Sequence, residues 1–125
     1  KNAELHIVHA WRLAGEDLMH RRGSSSDDIT HLRNQWCESS RRALYDVLGK
    51  QASEVTVHLV EGDPGEVIQK CANEMDIDLI VMGTAGRAGI AGFFIGNTAE
   101  DVVKGAVCSV FAVKPPGFVS PVSLK

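Results

Sequence analysis

Four apolar residues in succession, Leu79-Ile80-Val81-Met82, run into Gly83-Thr84-Ala85-Gly86-Arg87 and on through Gly89, Gly92 and Phe93-Phe94-Ile95 to Gly96-Asn97-Thr98-Ala99-Glu100. No other stretch limits the fold of this chain as strongly. An unbroken apolar run of strand length, bounded by turn residues, reads as a strand buried on both faces, as interior strands of parallel sheets are. Glycines at 83, 86 and 96 let the backbone bend sharply and let main-chain N–H groups approach a ligand with no Cβ in the way. The helix opening at Asn97-Thr98 adds unpaired N–H donors and the positive end of a dipole. A strand, a glycine-spaced loop and a helix start in that order make an anion-binding junction, read here as a phosphate loop. The plainer alternative is a flexible connector rich in small residues.

The rest of the chain alternates strands with helices. Glu4 to Trp11 is a short β-rich run predicted to be a largely buried strand. His6 and His9 fall on opposite faces of such a strand, so they share no metal and read as partly buried, internally satisfied histidines. Trp11 to Gly23 reads as a loop with a helical turn. Ser24-Ser25-Ser26-Asp27-Asp28 then starts a helix, with serine oxygens for the first N–H groups and aspartates at the positive end. Ile29, Leu32, Trp36, Ala43, Leu44, Val47 and Leu48 recur at helical spacing, and Gly49 is placed to end the element. Arg33, Glu38, Arg41, Arg42 and Asp46 read as solvated surface.

Val55 to Val60 alternates as a strand with one wetter face does, often at a sheet edge. Gly62 turns the chain, and Asp63-Pro64-Gly65-Glu66 is a capping-box start for a helix with Val67, Ile68, Cys71, Ala72 and Met75 on its apolar side. Beyond the glycine loop, Val102 and Val103 continue a helix that stops near Gly105, and Ser109 to Val113 makes the last strand. Residues 114–125, with Pro115, Pro116 and Pro121, read as an extended arm. This alternation means α/β with a mainly parallel sheet, in which ligands sit beyond the carboxyl ends of the strands.

Composition narrows the function classes. The 125 residues are predicted to form a single domain over 1–125 that needs no disulfide or metal staple. A net charge of −3 argues against a nucleic-acid binder, which needs a basic face. No apolar run approaches the roughly 20 residues that span a bilayer, so no membrane partner is expected. Cys37, Cys71 and Cys108 are far apart and form no C-x-x-C pair, as suits reduced, buried thiols in a cytoplasmic protein. The loop contains neither G-x-x-x-x-G-K-[ST] nor G-x-G-x-x-G, and no G-x-S-x-G or H-E-x-x-H occurs. Catalysis therefore has little support.

Gly83-x-x-Gly86, nine residues and then Gly96, preceded by Asp78-Leu79-Ile80-Val81-Met82 and followed by Ala99-Glu100, resembles the nucleotide-loop signature of the universal stress protein family. Gly62-Asp63-Pro64 and Val8-His9-Ala10 are similar to further family positions, so the resemblance covers nearly the whole chain from the family's second strand. Gly96-Asn97-Thr98-Ala99-Glu100 and the Phe118 to Val122 tail look most like the C-terminal repeat of two-domain members. The resemblance implies an open parallel sheet of order 3-2-1-4-5, with ATP, with or without Mg2+, at the carboxyl ends in members that bind it. By position, Ala10 and Met82 would flank adenosine, and Gly83, Ala85 and Gly86 would line ribose and phosphates. Gly96, Asn97, Thr98 and Ala99 would clasp the phosphate tail. Arg87 would add a charge-assisted contact, with a surface role as its alternative. Ile90, Phe93, Phe94 and Ile95 would cover the sheet.

Two departures accompany the likeness. Asn97 stands where ATP-binding members usually carry Ser or Thr, and the family's first strand and first helix have no counterpart, so the domain is expected to be N-terminally incomplete. The function implied is a cytoplasmic, non-enzymatic stress-response module, at most a weak ATPase, that binds adenine nucleotide and acts as a homodimer or with a tandem-repeat partner. The alternative is a non-catalytic interaction repeat of a tandem stress protein whose pocket is vestigial or takes another ligand.

Overall fold

A computed structural model describes residues 3–84 and 96–114. The chain divides into two compact units, Lys1–Val67 and Ile68–Lys125. In the first, β1 (His6–Trp11) is followed by a short α1 (Glu16–Arg21), the long α2 (Ser26–Leu48), a 3-10 segment (Gly49–Glu54), β2 (Thr56–Glu61) and the start of α3 (Pro64–Glu74). The second holds the rest of α3, then β3 (Leu79–Gly83), α4 (Asn97–Gly105) and β4 (Ser109–Val113). Each unit contains one parallel two-stranded ladder. His6 pairs with Thr56 through to Trp11 with Glu61, and Leu79 pairs with Ser109 through to Gly83 with Val113. The fold is α/β with parallel strands, as the alternation of elements predicts.

The helix boundaries follow local chemistry. Ser25 caps α2, its Oγ accepting from the Asp28 N–H at 3.1 Å, and Gly49 closes it at a φ of +54° while donating to the Tyr45 carbonyl. At α3, Asp63 Oδ2 accepts from the Glu66 N–H at 3.2 Å and the Asp63 carbonyl accepts from Val67. Pro64 then sits where its missing N–H costs nothing. The helix ends with Asp76 at a φ of +50°, as Ile77 donates back to Ala72 at 3.0 Å, a Schellman-type close with aspartate in the usual glycine place.

The first unit's core holds Leu13, Ile29 and Val67, and the second's holds Cys71, Ala72, Ala99 and Val102, the last wholly enclosed. Burial departs from the sequence expectations at several points. β3 is not buried on both faces: Leu79 and Val81 are 49% and 60% exposed, while Ile80 and Met82 are half-buried. A run of apolar residues enters the interior twice over only when both faces are covered, and nothing among the described residues covers this one. Phe111 and Val113 on β4 share the exposure. β1 is half-buried rather than largely buried, with Leu5 outside. Along α2 the apolar stripe reaches the core at Ile29, but Trp36 and Val47 lie largely in solvent. Trp11 to Gly23 holds a true helix, α1, with Glu16 and Asp17 at its start and His20 and Arg21 at its end, in the sense the dipole favours.

Two side-chain clusters tie the first unit together. Arg33, expected on the solvated surface, instead pairs with Glu16 of α1 and lies 3.1 Å from Glu61 at the end of β2. The Glu61 contact is an ion pair without hydrogen-bond alignment, since the Arg33 Nε is buried and unbonded. Glu38 and Arg41 form an exposed pair, as expected. Across the ladder, His6 Nδ1 lies 3.0 Å from His58 Nε2 with the rings stacked at 5.2 Å, and His6 Nε2 meets Glu4 at 2.9 Å. The carboxylate keeps a proton on Nε2, so His58 donates to Nδ1 when both rings are neutral. His9 faces away and is exposed, in keeping with the opposite-face reading.

Candidate functional site

The site is built from the end of β3 and the start of α4. β3 delivers Met82 opposite Ala112 and Gly83 opposite Val113. The next residue, Thr84, leaves the ladder but remains attached to it, its N–H donating to the Val113 carbonyl at 3.2 Å and its hydroxyl lying 3.5 Å from the same oxygen. Its own carbonyl accepts from the Gly96 N–H at 2.9 Å. That bond sets the first residue of the α4 entry beside the residue that follows the strand, so the ends of the loop are pinned together. Ala85, Gly86, Arg87, Ile90, Phe93, Phe94 and Ile95 lie outside the described residues, as do 115–125 of the tail.

Gly96 is the N-cap of α4, at φ −59° and ψ 154°, and brings no side-chain oxygen to the first turn. Its carbonyl accepts from Glu100 at 3.0 Å, which opens the helix. The N–H groups of Asn97, Thr98 and Ala99 therefore begin the helix with no capping side chain among the described residues, the arrangement in which an anion supplies the missing acceptor. Asn97 is exposed, Thr98 half-buried and Ala99 buried, so Ala99 offers backbone only. The Gly96 N–H is already given to Thr84 and so is not offered to a ligand. A Cβ at Gly83 would meet no atom of the described residues within 4 Å, so among them the space beside the strand end is open.

Charge along α4 follows its dipole. Glu100 in the first turn bonds Lys104 in the last at 2.9 Å, and this contact raises the lysine pKa. The acid nearest the helix start is thereby partnered. Gln69 of α3 donates to the Asp101 carbonyl at 2.7 Å and lies over Gly105, where a Cβ would meet its amide at once. Val102, fully enclosed, anchors the helix from below.

Ala10 occupies β1 in the first unit, opposite Val60 and half-buried. Among the described candidates, Met82, Gly83, Gly96, Asn97, Thr98 and Ala99 are gathered at one junction of the second unit. Thr84 was missed from sequence. The available signal was a hydroxyl residue directly after the first loop glycine, at the end of a strand. No group of three or more metal-ligating side chains occurs among the described residues, and no described helix is long and apolar enough to cross a membrane.

Residues 1–114 match the Universal stress protein family. Universal stress protein E of Photorhabdus laumondii is 31% identical over 124 residues, covering 98% of this chain and 38% of that protein, so the chain spans well under half of its relative's length. Among solved structures, the hypothetical protein MJ0577, subject of a structure-based assignment of biochemical function, superposes with a TM-score of 0.73 at 24% identity, over 92% of this chain and 78% of that one. UspA from Lactobacillus plantarum gives 0.67 at 19% identity, over 89% and 77%. These two likenesses are of fold.

Proposed function

The chain belongs to the universal stress protein family, and from that premise we propose that it is an adenine-nucleotide-binding module of the cytoplasmic stress response, taking ATP with or without Mg2+. One observation carries the reading: the 2.9 Å bond from the Gly96 N–H to the Thr84 carbonyl, which plants an uncapped helix start at the carboxyl end of a parallel strand. Such a helix end carries about half a positive charge, and a phosphate placed there gains hydrogen bonds and a favourable field together. Asn97 contributes its side-chain amide, Thr98 its hydroxyl and Ala99 its N–H, while Met82 and Gly83 line the approach from the strand. Ala85, Gly86 and Arg87 serve the ribose and phosphates. The module works as a homodimer or beside a tandem-repeat partner, with ATP turnover weak or absent.

A second reading, an interaction repeat with a vestigial pocket, is favoured by the exposed apolar face of Leu79, Val81, Phe111 and Val113. Thermal denaturation with ATP separates the two. At a hundredfold excess over its Kd, a ligand adds about 2.7 kcal/mol to the native state, a shift of roughly 10 °C in a domain of this size. An unmoved melting temperature at millimolar ATP, with no adenine nucleotide released from the purified protein on heating, would leave only the second reading.

A further inference from the structure

Thr84 is the buried polar side chain of the described residues, 3% exposed. A buried hydroxyl without a partner costs free energy, so a chain that keeps one has a use for it. Here the Val113 carbonyl faces both the hydroxyl, at 3.5 Å, and the N–H of the same residue, at 3.2 Å. One oxygen at the end of β4 thus holds Thr84 at two points. Holding the N–H and the side chain together restricts rotation of the residue and so places the Cα–C bond that carries its own carbonyl. That carbonyl accepts the Gly96 N–H at 2.9 Å, and the Gly96 carbonyl in turn accepts the Glu100 N–H at 3.0 Å. A continuous path of hydrogen bonds therefore runs from the last residue of β4 through Thr84 to the first turn of α4.

We propose that Thr84 is the positioning residue of this junction: through the Val113 carbonyl its hydroxyl steadies the Cα–C bond that carries the Thr84 carbonyl, and so the place of Gly96 and of the helix start that follows. The inference rests on the phosphate-loop reading for its consequence, which is that the end of β4 becomes a second input to nucleotide affinity. Thr84 does not touch the ligand. It decides whether the donors of Asn97, Thr98 and Ala99 converge.

The test compares Thr84→Val, which removes the hydroxyl at nearly constant volume, with Thr84→Ser, which keeps it. Amide hydrogen exchange of Gly96, ATP affinity and melting temperature are measured for each. At 3.5 Å the hydroxyl contact is longer than an ordinary O–H···O bond and correspondingly weak, so its loss should speed Gly96 exchange only about threefold and weaken ATP binding by a similar factor. Thr84→Ser should return both to wild-type values. The melting temperature should not fall in parallel, because valine spares the core a buried hydroxyl. Unchanged Gly96 exchange in Thr84→Val overturns the assignment. So does equal loosening by valine and serine, which would make side-chain packing the cause. If Gly96 exchange responds as expected and the wild-type chain binds no ATP, the positioning role stands and the nucleotide reading fails.

Discussion

Replacing Gly62 by alanine should be among the more damaging single-methyl additions to this chain. Gly62 links β2 to α3 at a φ of +149° while donating to the Trp11 carbonyl at 2.9 Å, and a Cβ built there would sit 3.0 Å from Cγ2 of Val67. An L side chain forced into that backbone region costs about 1–3 kcal/mol. Turning Val67 off its rotamer to admit the methyl adds about 1 kcal/mol. Alanine restricts the unfolded chain more than glycine and returns about 0.4–1 kcal/mol. The balance is a loss of about 2 kcal/mol, or roughly 8 °C at an unfolding entropy of about 2.1 cal/mol/K per residue. Urea melts of wild type, Gly62→Ala, Val67→Ala and the double variant divide the cost. Truncating Val67 relieves the contact and leaves the backbone strain, so the two changes together should cost about 1 kcal/mol less than their sum. Gly62→Ala at or above wild-type stability would refute the argument, and strict additivity would refute its steric part.

Asp76→Gly should stabilise the chain by about 1 kcal/mol, since it removes both a left-handed aspartate and a negative charge from the C-terminal end of α3; a lowered urea midpoint would contradict this. Burial is the main reason that the Cys71 thiol titrates above the ordinary cysteine range, with Glu74 adding to the shift and Lys70 opposing it. Cys71 should therefore react with a thiol reagent more slowly at neutral pH than half-buried Cys37 and Cys108, and the gap should narrow as pH rises. Because its folded pKa is raised, the associated stability is complete below the unfolded thiol's pKa and is lost as pH climbs through the folded one, so alkaline pH should lower the urea midpoint of wild type more than that of Cys71→Ala. Asn97→Ser should tighten ATP binding several-fold in calorimetric titration if a hydroxyl donates better than an amide at this place, and weaker binding would show that the amide is the better fit.

The elements of this fold were legible wherever a local chemical rule fixes them. Ser25, Asp63 and Gly49 mark helix ends that the structure places within a residue of the sequence reading, because capping depends on neighbours three or four positions away. Burial was less legible. Leu79-Ile80-Val81-Met82 has the same pattern whether one face is covered or two, and what covers a face is set by distant segments. The same limit hid the roles of Arg33, whose partners Glu16 and Glu61 lie on other elements, and of His58, whose partner His6 is on the neighbouring strand. At the site, glycine spacing located the junction, and the structure gathers six of the expected residues there. It did not reveal which donors were already used. The Gly96 N–H, a phosphate donor by sequence, is spent on the Thr84 carbonyl, and Thr84 itself differs from an ordinary loop threonine only by being enclosed.

The pairing of His6 with Thr56 and of Leu79 with Ser109 also bears on how the chain comes into being. Parallel neighbours cannot be closed by a tight hairpin, so each early strand must leave the ribosome and wait, its hydrogen-bonding edge unsatisfied, while a helix and its connections are translated. During that interval β1 and β3 are the segments most open to capture by another nascent copy or by a chaperone. Slowing translation once β2 or β4 has cleared the ribosome, rather than before, should favour correct assembly, because only then does each waiting strand have its mate within reach.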